Sequence, residues 1–145
     1  MRKKIRWTVK SKKRFKAEIK RITRRTRGVS PKKVTEDLRR YVKGAINYYV
    51  IGLTFSEALR LDEWMRRRMR LYYWKQWGRP KTRRKKLISL GIDRDKVKLA
   101  TRSRKGHWRM CQNSLVRMAL TNEWLGDQGV PSIEEQWVSV YYPNG

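Results

Sequence analysis

Apolar side chains recur along most of the chain at three- and four-residue steps, the period of an amphipathic helix. From Ser11, a capping residue, Phe15, Ile19 and Ile22 form one stripe, while Lys16, Lys20 and Arg24 point away. That predicts a helix to about Thr26, ended by Gly28. Ser30 and Pro31 then supply an N-cap and a first-turn proline. The helix behind them is predicted to run to about Ile51, where Gly52 stops it. Val34, Leu38, Tyr41, Val42, Ala45 and Tyr49 lie on its apolar side, with Arg39, Arg40, Lys43 and Asn47 opposite. Thr54 or Ser56 starts a third, longer helix that ends at Gly78, ahead of Pro80. At about 100° per residue, Leu61, Met65, Met69 and Tyr72 make its buried stripe. Arg66, Arg67, Arg70, Trp74 and Trp77 fall on the other side. Arg68 falls beside Leu61, so it must snorkel, pair with an acid such as Asp62, or meet a ligand.

Beyond Pro80 the segments shorten. Residues 81–90 read as a short basic helix closed by Gly91, and Asp93 caps a helix to about Arg102. Residues 103–108 read as a loop. Leu115, Val116, Ala119 and Leu120 mark one mostly buried helix up to Gly126, and residues 128–131 form a turn. Ser132 caps a last short helix to about Val138, and the tail from Tyr141 is expected to be loose. At the other end, residues 5–9 alternate apolar and polar, a short strand pattern. The sum is an all-α chain with a short N-terminal strand remnant. Three main helices occupy residues 1–80, and a smaller helical part occupies 81–145. No apolar run approaches the roughly 18 residues of a membrane span, and the basic N-terminus lacks the apolar core of a secretory signal. A protein that is not secreted and not in a membrane is expected.

Charge narrows this further. The 145 residues carry 39 Lys and Arg against 12 Asp and Glu, a net +27. Every basic residue precedes Met118, and the stretch after Arg117 holds only acids: Glu123, Asp127, Glu134 and Glu135. The second part is therefore basic to about residue 117 and then acidic. A single run of basic residues is ordinarily a solvated helix face. Five such runs, at 2–27, 32–40, 66–70, 79–86 and 94–109, repel one another and imply a polyanionic partner. Guanidinium forks grip phosphate, and flat rings stack on bases. The candidate RNA contacts are Arg24, Arg25 and Arg27 after the first helix, and Arg39, Arg40, Lys43 and Asn47 on the second. The third helix adds Arg66, Arg67, Arg70, Trp74, Lys75 and Trp77. Further along stand Arg79, Lys81, Arg83 and Arg84, then Arg104, Lys105, His107 and Trp108.

Candidates for catalysis are few. His107 and Cys111 are the only histidine and cysteine, and their spacing brings no orienting group or oxyanion site with it. Asp93 and Asp95 suit a helix N-terminus better than a metal. There is no glycine-rich phosphate loop. The reading is of no catalytic residue, no metal site and no cofactor, and one cysteine excludes an internal disulfide.

Three segments carry a resemblance. Leu38-Arg-Arg-Tyr-Val-Lys-Gly-Ala-Ile-Asn-Tyr-Tyr49 is similar to the Leu…Gly-Trp-x-Asn-Tyr-Phe element of group II intron-encoded proteins, with Ala45 in place of Trp. Trp64-Met-Arg-Arg-Arg-Met-Arg70, with Trp74-Lys-Gln-Trp77 and Arg79-Pro-Lys-Thr-Arg83, resembles that family's Trp-Ile-Arg-Arg-Arg-Leu-Arg…Trp-Lys-Gln-Trp-Lys-Arg-Pro-Lys-Thr stretch. Arg104-Lys-Gly-His-Trp108 resembles its Arg-Lys-Gly-Tyr-Trp, with His107 for Tyr. The resemblance spans about residues 10–138 and is to the thumb, or X, maturase-specific region. It implies a thumb-like bundle that binds structured intron RNA and assists its splicing or mobility, the RNA itself performing the transesterification. It also implies one alternative, the thumb of a reverse transcriptase, clamping an RNA–DNA or DNA duplex and inactive without its fingers and palm. A second alternative, apart from the resemblance, is a general helical DNA-binding module. The family's polymerase Tyr-x-Asp-Asp motif is missing here, so no enzyme activity of the chain alone is expected. The implied location is the bacterial cytoplasm or an organellar matrix.

Overall fold

The computed structural model describes residues 9–49, 52–101 and 114–143. Among them are eight helices and no strand: α1 (Val9–Ile22), α2 (Pro31–Tyr49), α3 (Phe55–Trp77), α4 (Pro80–Ser89), α5 (Arg94–Thr101), α6 (Ser114–Ala119), α7 (Asn122–Asp127) and α8 (Ile133–Tyr141). The all-α class read from the periodicity is the class found. Of the N-terminal strand pattern, residues 5–8 lie outside the described residues, and Val9 opens α1.

The caps explain where the elements begin. Thr54 Oγ1 accepts from the Glu57 amide at 3.1 Å, and Glu57 accepts from the Thr54 amide at 3.1 Å, a reciprocal box that starts α3. Lys12 of α1 reaches the same carboxylate at 2.6 Å. Ser30 accepts from the Lys33 amide at α2, and Asp93 accepts from the amides of Asp95 and Lys96 at α5. Gly78 closes α3 at φ +72°, a conformation that a side chain resists, and Pro80 opens α4 at once.

Phe15, Ile19 and Ile22 of α1 meet Val34, Leu38, Val42 and Ile46 of α2 and Ala58, Leu61, Met65, Met69 and Tyr72 of α3, all buried. Each Val, Leu, Ile, Phe or Met side chain removed from water contributes roughly 1.5–3 kcal/mol. The core continues without interruption through Leu87, Val97, Val116, Leu120, Leu125 and Ile133. The last helix, α8, packs back on α3 and α2.

Asp62 holds α8 there. Its side chain is fully buried and accepts from the amides of Ile133 at 2.7 Å and Glu134 at 2.8 Å, and from the Ser132 hydroxyl at 3.3 Å. The two amides are first-turn groups of α8 that have no partner within their own helix. Arg66 stands 3.7 Å from the same carboxylate. Burial pushes the Asp62 carboxyl above its ordinary value, while the two amides and Arg66 pull it down.

Several expectations are corrected. Asp62 is not the partner of Arg68. Arg68 turns to α1 and donates to Thr23 Oγ1 at 3.1 Å and the Lys20 carbonyl at 3.2 Å, near a helix end where carbonyls lack partners. Arg70 and Trp74, expected opposite the buried stripe, are 6% and 2% exposed because α3 is covered on a second side. The first helix ends at Ile22, after which the backbone bonds tighten to three-residue turns, the Arg24 amide donating to the Arg21 carbonyl at 3.5 Å and the Arg27 amide to the Arg24 carbonyl at 3.0 Å. The helix expected to run to Gly126 is two helices, α6 and α7, because the Thr121 side chain caps Trp124 and restarts the chain. The last helix continues to Tyr141, whose ring stacks on Trp137 at 4.3 Å.

Candidate nucleic-acid interface

Three arginines of α3 meet the α6–α7 break. Arg66, Arg67 and Arg70, with Arg117 and Asn122, line a cleft of about 310 Å³ that also holds Glu63. The break makes this arrangement. It leaves the Leu120 carbonyl outside helical pairing, and Arg70 Nε donates to it at 2.8 Å. Arg70 Nη2 donates to Asn122 Oδ1 at 2.9 Å. Arg66 is steadied by Asp62, whereas Arg117 is exposed and Arg67 half-buried. The cleft therefore gathers four guanidinium groups around one exposed carboxylate. Cationic forks held this way suit a phosphate oxygen. The sequence reading does not single out Arg117 or Asn122. A helix break that turns both toward α3 has one sequence signal, the capping residue Thr121.

The basic helix α4 presents most of its charge outward. Arg79, Lys81, Arg84, Lys85 and Lys86 are exposed. Arg83 is not part of that face. Its guanidinium lies 4.5 Å from the centre of the Trp74 ring, and its Nε donates to the Trp74 carbonyl at 3.0 Å. Burial lowers its pKa from the ordinary arginine value. Trp74, under Arg83 and beside Trp77 at 6.2 Å, is core and offers no free face for a base. Trp77 keeps part of its surface, and Lys75 is exposed.

On α2, Arg39, Arg40, Lys43 and Asn47 lie along the exposed side, as the periodicity predicts. Arg39 and Arg66 also line a larger cleft, of about 870 Å³, together with Glu123, Asp127, Glu134 and Glu135. The acidic C-terminal stretch thus borders the basic surface at this cleft. After α1, Arg24 and Arg25 are exposed, but Arg27 donates to Asp37 Oδ2 at 2.6 Å and to the Ile22 carbonyl at 3.1 Å. It joins the turn to α2. Arg104, Lys105, His107 and Trp108, with Cys111, lie outside the described residues.

No described helix is long and apolar enough to cross a membrane. A family model, that of the group II intron maturase-specific domain, matches residues 12–90, which is more than half of the chain and spans α1 to α4. No curated protein matches the chain.

Proposed function

The chain belongs to the group II intron maturase-specific domain family, and on that premise we propose that it binds group II intron RNA and assists its splicing or mobility. The RNA supplies the chemistry and the protein supplies grip. The observation that carries the reading is the arginine cleft, where Arg66, Arg67, Arg70 and Arg117 converge on a space of phosphate-binding character. The exposed charges of α4 and the outer side of α2 extend the contact. Phosphate contacts of this kind set affinity and register, while RNA shape and unpaired bases set preference.

The test uses the 145-residue chain and a transcribed group II intron in near-physiological salt. Retention of the intron against equal masses of an unrelated structured RNA and of duplex DNA is the expected result, with faster splicing at limiting magnesium. Equal competition by duplex DNA would reduce the protein to a general polyanion binder and overturn the proposal. Primer extension by the chain alone is expected to be absent, for want of a carboxylate pair for two-metal chemistry.

A further inference from the structure

A third cleft lies away from the arginine cluster, between the end of α3, the start of α2, α4 and α7. It encloses about 460 Å³, within the range of small-ligand sites. Its lining is unlike that of the other clefts. Tyr73, Trp77 and Trp124 give it aromatic walls, and Gln76, Gln128 and Lys86 stand among them. Tyr73 and Trp124 meet edge to face at 5.0 Å, which fixes both rings. Gln76, Gln128 and Lys86 are exposed and so available to an incoming group.

Tyr73 supplies a separate observation. The residue is only 7% exposed, and it stands in the wall of the cleft. Burial alone pushes its pKa up to about 12, so it is a neutral phenol, able both to donate and to accept. The combination of ring faces, two carboxamides, a neutral phenol and an ammonium group is the chemistry that receives an unpaired nucleotide. The rings stack on the base, the amides read its edge, and Lys86 meets its phosphate.

We infer that this cleft takes a single unpaired nucleotide, a base turned out of a bulge or loop of the bound RNA. The inference rests on the RNA-binding reading and adds a site that the arginine cleft does not contain.

Two RNA hairpins test it, one with a single bulged 2-aminopurine and one identical but fully paired. Both are titrated with the full chain at near-physiological salt. The bulged hairpin is expected to bind about tenfold more tightly, and its fluorescence to fall as the base stacks. Trp77→Ala is expected to bring the ratio of the two affinities close to one, with Trp77→Phe keeping most of it. Gln76→Ala, at an exposed position, weakens the bulged hairpin selectively and serves if Trp77→Ala does not fold. Equal binding of both hairpins by the parent protein, with unchanged fluorescence, overturns the inference and leaves the RNA-binding reading standing. A preference that survives both Trp77→Ala and Gln76→Ala overturns it too. Failure to bind either hairpin, or the intron, brings down both readings.

Discussion

Arg67 and Arg70 sit three residues apart on α3 and have different duties. Arg70 is buried and satisfies the Leu120 carbonyl and the Asn122 amide oxygen. Arg70→Ala is expected to lower the unfolding free energy by about 2 kcal/mol or more. Arg67→Ala should change stability by no more than about 0.5 kcal/mol, yet weaken RNA binding by about 1 kcal/mol. Denaturant titrations beside filter binding read both quantities, and equal destabilisation by the two variants would refute the distinction. Sequence periodicity finds Leu61, Met65, Met69 and Tyr72 but misplaces Arg70 and Trp74. A period locates one buried stripe and cannot say that a helix is covered on a second side, as α3 is by α4 and α7. Arg68 is read as turned inward, and it does turn to α1. Its acceptors, a threonine hydroxyl and a backbone carbonyl about 45 residues earlier, have no local trace in the sequence.

The joints between helices follow a similar rule. Starts with a side-chain cap are legible, as at Thr54, Asp93 and Ser132. Thr121 is missed because Leu120 and Leu125 keep the apolar pattern running across it. Thr121→Ala is expected to cost about 1 kcal/mol and to change the emission of Trp124, which packs on Tyr73. The turn between α1 and α2 carries a pH dependence. Arg27, aided by Lys33, holds the Asp37 carboxyl below the usual carboxylate range, against the raising effect of burial. A folded-state value below the unfolded one contributes stability at neutral pH that disappears as pH falls through the folded value. Melting temperatures of the parent and Asp37→Asn should therefore differ at pH 7 and converge in acid. A gap that widens on acidification would reverse the assignment.

For the molecule as a whole, a net charge of +27 makes salt act in opposite directions on folding and on binding. Screening relieves self-repulsion, so thermal stability should rise between low and physiological salt. RNA binding should fall over the same interval. If six to ten phosphates are neutralised, the slope of log K against log salt is about −5 to −8. A slope shallower than about −2, or a melting temperature that drops as salt is added, would contradict this picture. The charge itself is plain in the sequence. The distribution is not, because folding gathers Glu123, Asp127, Glu134 and Glu135 into one cleft lining with Arg39 and Arg66.

The cap that Asp62 places on α8 also has a consequence in time. Its backbone partners lie 71 and 72 residues later in the chain. At roughly 5–20 residues per second of synthesis, Asp62 waits on the order of 4–14 s for them. During that interval its carboxylate must stay hydrated, so the middle of α3 cannot close over it. Docking of α8 is then a late event, after α1 to α3 have assembled. Asp62→Asn should speed unfolding and leave the refolding rate almost unaltered, a φ-value near zero. Stopped-flow measurements across a denaturant series would show it, and a slowed refolding limb would instead put the contact in the nucleus.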